Sequence, residues 1–114
     1  MPQKYSQYDF KLAWDQKVTD NEIIIDGLIW NVRWFYAEGV EVWVSLIDPT
    51  GQMQSREVDL IIPHILGVQE KAHFSIKIKA KPQPGSKLLF TYRYYGVDSI
   101  DDAAFLVQSF EHKL

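Results

Sequence analysis

Cysteine is absent from this 114-residue chain, which removes disulfides, thiol nucleophiles and cysteine-ligated zinc together. Long apolar runs are missing too. Stretches such as Ile23-Ile24-Ile25 and Leu60-Ile61-Ile62 are far shorter than a membrane span, and Met1-Pro2-Gln3-Lys4 does not read as a secretion signal. The 12 basic residues are outnumbered by 15 acidic ones, leaving a formal net charge of −3, and they form no basic stripe along the sequence. Nucleic acid and an anionic membrane surface are therefore not the expected partners. No two of the six glycines are spaced as GxG or GxxxxGK, so there is no phosphate loop. None of Ser6, Ser45, Ser55, Ser75, Ser86, Ser99 and Ser109 sits in a nucleophile elbow.

What the chain has is aromatic side chains, 14% of residues with four Trp and six Tyr, a composition that suits strands and binding faces. Its length suits one domain, 1–114, with Met1 to about Tyr8 as an N-terminal arm. Apolar residues alternate through Phe10, Leu12 and Trp14, then through Ile23, Ile25 and Ile29, and most cleanly through Val40, Val42, Val44 and Leu46. The last series predicts a strand whose opposite face carries Glu41, Trp43, Ser45 and Ile47. Asp48-Pro49-Thr50-Gly51 closes a hairpin, with Asp opening the turn, Pro presetting φ and Gly taking the positive φ. Strands follow over about Gln54–Ile62, Lys71–Lys79 and Leu88–Tyr95. Gly39, Gly51, Gly67, Gly85 and Gly96 fall between the apolar runs and are expected at the connections.

The C-terminus reads two ways. Ser99-Ile100-Asp101-Asp102 has the form of a capping box, with Ile100, Ala103, Ala104 and Val107 on one helical face. A seventh strand, alternating Phe105, Val107 and Ser109 with Leu106, Gln108 and Phe110, is the preferred reading because it covers an otherwise open sheet edge. About seven short strands without crossover helices predict an all-β, two-sheet antiparallel sandwich of immunoglobulin or fibronectin type.

Ile25-Asp26-Gly27-Leu28-Ile29-Trp30-Asn31, then Val40 to Asp48 with Gly51, Pro63 and Phe74-Ser75-Ile76, resemble the FxLYD-type bacterial domains over roughly residues 23–78. That resemblance implies an immunoglobulin-like sandwich and a place in the cell envelope. The chain departs from the pattern in the block Trp34-Phe35-Tyr36 and in lacking a lipoprotein signal.

His64, His73 and His112 are scattered and are read as surface residues, not as metal ligands. Asp98, Asp101 and Asp102 match no calcium loop and read as turn acids, while Glu57 and Asp59 share one strand face, as sheet acids often do. No catalytic residue, metal or cofactor is expected. The candidate binding face is aromatic: Trp34, Phe35 and Tyr36 in a connection, with Trp43 opposite the valines and Arg93 beside it. The expected function is a non-catalytic interaction or structural module that meets a protein partner or a second copy. Its alternative is a carbohydrate-binding module that stacks sugars on the same rings.

Overall fold

The computed structural model describes residues 3–99 and 102–114. Nine strands follow one another: β1 (Gln3–Ser6), β2 (Phe10–Val18), β3 (Ile23–Asn31), β4 (Tyr36–Ile47), β5 (Met53–Leu60), β6 (Ile65–Gly67), β7 (Lys71–Ile78), β8 (Lys87–Ser99) and β9 (Asp102–Lys113). One sheet runs β1-β2-β3-β7 and the other β5-β4-β8-β9, with β6 pairing onto β4; every pairing is antiparallel.

Period two sets each inner face. In β7, Ala72, Phe74, Ile76 and Ile78 are buried while Lys71, His73, Ser75 and Lys77 are exposed. Val42, Val44 and Leu46 of β4 face Ile25, Phe74 and Ile76 across the sandwich in one continuous hydrophobic cluster, as the alternation predicts. Fully burying an aliphatic side chain of this kind contributes about 1.5–3 kcal/mol. The opposite face departs from the expectation at the end of β4, where Ser45 and Ile47 are buried as well. Trp14 packs on Phe90 at 4.5 Å between ring centres, and Phe90 stacks on Phe110 at 4.9 Å.

Two strands were not legible. The expected arm forms β1 from Gln3 onward, because Tyr5 stacks on Phe110 at 3.7 Å and ties the edge of one sheet to β9 of the other. The short β6 lies in what reads as a loop after Pro63. Gly39, Gly67 and Gly96 lie within strands, leaving Gly51 and Gly85 as the turns; Gly39 stands where the β4–β8 register shifts. The C-terminal segment is a strand, and its even-numbered residues Leu106 and Phe110 pack against the core. Ile100 and Asp101 of the capping-box reading lie outside the described residues.

The sandwich protects its sides differently. Where β5 and β7 approach, the Asp59 carboxylate accepts the Ser75 backbone N–H at 2.8 Å, capping an edge amide of β7. Strand β9, twelve residues long, borders solvent along its outer edge.

Candidate functional site

The Trp34-Phe35-Tyr36 block is divided by its local geometry. Asn31, fully buried at the end of β3, accepts the backbone N–H of Arg33 at 3.2 Å and of Trp34 at 2.9 Å on its Oδ1. Its Nδ2 donates to the carbonyls of Trp34 at 2.9 Å and Leu66 at 3.0 Å, so the amide is satisfied on both sides. The resulting tight turn sends Trp34 inward, where Nε1 donates to the Tyr94 hydroxyl at 2.8 Å. The Arg33 guanidinium closes over the ring at 3.7 Å. Trp34 is therefore core and leaves the candidate face, since a buried ring already holding its hydrogen bond has nothing to offer a partner.

Tyr36 and Phe35 remain outside, their rings 5.9 Å apart, with Phe35 67% exposed. Tyr36 opens β4 on the same outward parity as Glu38, Glu41, Trp43 and Ser45, the bulge between Glu38 and Glu41 restoring the phase. Trp43 points away from the valines, as expected. Its ring is flanked by Arg56 from β5 at 4.4 Å and Arg93 from β8 at 4.9 Å, the strands on either side of β4. Glu41 Oε1 accepts from the indole N–H at 2.9 Å and from Arg93 Nε. The Arg93 hydrogen bond first, and the Trp43 one second, hold the Glu41 carboxyl below its ordinary value. Trp43 is half-buried within its own chain by this clasp, and both arginines compete with any sugar for its ring.

The ladder then gathers side chains that the sequence reading missed. Reading across the sheet, Leu60, Glu41, Arg93 and Val107 form one row, and Ile65, Glu38, Tyr95 and Phe105 another. Leu60 is 63% exposed and Phe105 and Tyr95 each 53%, with their rings 5.0 Å apart. Val58, Ile65 and Val107 are exposed as well. The outer face thus carries apolar groups on both flanks of a charged clasp. The parity of Phe105 and Val107 was readable, but not which side of that strand met the core.

The other singled-out residues do not converge. Among the described residues no three His, Cys, Asp or Glu side chains gather to hold a metal. His64 and His73 are exposed, His112 sets its ring edge-on to Trp14 at 5.4 Å, and Asp98 pairs with Arg33 at 3.3 Å. Asp101 lies outside the described residues. Asp59 serves the β7 edge, apart from the exposed Glu57.

No family model matches the chain, and no curated protein matches it in sequence. Among solved structures it is similar to the GAE domain of GGA2p from Saccharomyces cerevisiae, with a TM-score of 0.53 at 14% identity over 96% of each chain. Identity that low speaks for shape and not for chemistry, and with the topology above it establishes the chain as an all-β, immunoglobulin-like two-sheet sandwich.

Proposed function

We propose that this protein is a non-catalytic interaction module that meets a second copy of itself through the outer face of the β5-β4-β8-β9 sheet. One observation carries the reading: exposed Val58, Leu60, Ile65, Tyr95, Phe105 and Val107 lie in register across that face instead of being scattered. Exposed apolar groups gathered on one face in this way, here on both flanks of the charged clasp, mark protein contact. The Glu41–Trp43–Arg93 clasp gives it a rigid amphipathic centre, of the residue types that anchor interfaces. The adjoining edge of β9 offers main-chain hydrogen bonds to a two-fold-related β9, and a symmetric pairing of that kind closes without propagating.

Sedimentation velocity at several concentrations tests it, on the parent and on Phe105→Asp, with circular dichroism to confirm that the variant is folded. The parent is expected to associate and the variant to sediment as a monomer. A parent that stays monomeric up to millimolar concentration, or a folded variant that associates unchanged, would overturn the reading.

A further inference from the structure

The opposite sheet carries a basic face that the linear sequence conceals. Lys4 of β1, Lys11 and Lys17 of β2, and Lys71 and Lys77 of β7 all fall on the outward parity of the β1-β2-β3-β7 sheet. These are five of the nine lysines in a chain of net charge −3. All five are exposed, and none lies within ion-pair distance of a carboxylate among the described residues. The outward acids of these strands are Asp15 and Asp26, directly opposite each other, with His73 4.0 Å from Asp26. Five lysines less two aspartates leave a formal +3 on this face.

Trp30 stands in the middle of one row, between Lys11 on β2 and Lys71 on β7. Those two lysines are two strand spacings apart, roughly 10 Å. Trp30 is half-buried, and among the described residues no cation covers its ring, in contrast to Trp34 and Trp43. Beside it is a shallow depression of about 350 Å³, bordered by Trp30, Lys4, Lys11 and Ser6 and floored by Leu12 and Ala13. That volume is at the small end of ligand sites and suits a single cyclic unit.

We infer that this face binds an acidic polysaccharide, one sugar ring lying against Trp30 and the carboxylates of it and its neighbours meeting Lys4, Lys11 and Lys71. A sugar ring presents a flat C–H surface to the indole, and lysine ammoniums accept carboxylates from a range of directions. Two other polyanions fit less well. Insertion into an anionic bilayer requires protruding apolar side chains, and none of the large exposed hydrophobics lies on this face. Single-stranded nucleic acid stacks on successive aromatic rings, whereas here there is one tryptophan, His73 lies beside Asp26, and the Asp15–Asp26 pair interrupts the lysines.

Tryptophan fluorescence and calorimetry of the full chain with oligogalacturonate test the proposal, with a neutral oligosaccharide of equal length, polyglutamate, oligodeoxythymidylate and anionic phosphatidylglycerol vesicles as comparisons. Saturable binding to oligogalacturonate is expected, weakening as salt shortens the screening length and falling about tenfold or more in Trp30→Ala and in the Lys11→Gln/Lys71→Gln double variant. The lysine variant alters only exposed side chains, so it keeps the test decisive if Trp30→Ala does not fold. No saturable binding, equal binding of the neutral sugar, unaltered binding by the folded lysine variant, or tighter binding of any other polyanion would overturn the assignment. Phe105→Asp is expected to leave this binding unchanged, which separates it from the self-association reading.

Discussion

Asp9 fastens the interior at the scale of one residue. It is fully buried, with no cation in ion-pair reach among the described residues, and its oxygens accept the hydroxyl protons of Tyr92 at 2.9 Å and of Tyr94. Burial first, and Asp9 second, push both phenols above their ordinary range, so each stays protonated and donates. Asp9→Leu strands two buried donors at about 1–3 kcal/mol each and is expected to lower stability by about 2–6 kcal/mol. Asp9→Asn keeps one acceptor and is expected to cost less; equal urea midpoints for the two variants would show that the carboxylate is not the fastening. Glu41 is the acid to watch by pH. Its folded pKa lies below its unfolded one, so its contribution is complete above the ordinary glutamate range and is lost as pH falls through that range to the lowered value. An emission change from Trp43 is expected on acidification, with a midpoint below the ordinary glutamate value, and it should vanish in Glu41→Gln. A midpoint at or above that value would mean that the Arg93 and Trp43 contacts do not hold the charge in solution.

At the level of strands and turns, what the sequence made legible was the phase of each core-facing alternation. Val40 to Leu46 assigned the core face of β4 because Val40, Val42, Val44 and Leu46 recur there at every second position, and Asp48 to Gly51 announced the turn that follows. In that turn Asp48 Oδ1 accepts from the backbone N–H of Thr50 and of Gln52, each at 2.9 Å, and Gly51 takes φ +92°. What stayed hidden depended on contacts between distant strands. Strand β1 exists because Tyr5 finds Phe110, and Trp34 turns inward because Asn31 ties its turn to Leu66 on β6. Gly96 was misread for the same reason. A methyl group built there would fall 2.3 Å from the Trp34 ring, so the glycine is a seat for the indole inside β8 and not a connection. The same substitution at the two glycines should act by different means. Gly51→Ala has open space around it and is expected to cost about 1–2 kcal/mol of backbone strain with tryptophan emission unchanged. Gly96→Ala must displace Trp34 and is expected to cost about 1–3 kcal/mol or more, with a red-shifted emission. Identical spectra for the two variants would remove the seat from under Trp34.

Seen whole, the molecule is an elongated body, 47 × 25 × 20 Å, whose two broad faces differ in chemistry. One presents lysines around Trp30, the other apolar side chains around the Trp43 clasp. The asymmetry was invisible along the chain because the lysines are spread over three strands, and only pairing at a side-chain period of two brings them together. Two sheets packed about 10 Å apart separate the faces by more than the screening length at 0.1 M salt once side chains are included. Between them lies a close-packed interior with no charged chain of contacts from Lys11 or Lys71 to Arg93 among the described residues. Substitutions that far apart, sharing no partners, should act additively to within about 0.5 kcal/mol. Combining Phe105→Asp with Lys11→Gln and Lys71→Gln is therefore expected to give the association of the first and the polyanion binding of the second, and the unfolding free energies should sum. A coupling well beyond that margin, read from urea unfolding of the parent, the two partial variants and the combined one, would mean that the faces communicate through the sandwich. The route to look for would then be β2 to β8 through Trp14 and Phe90, which touch across the two sheets.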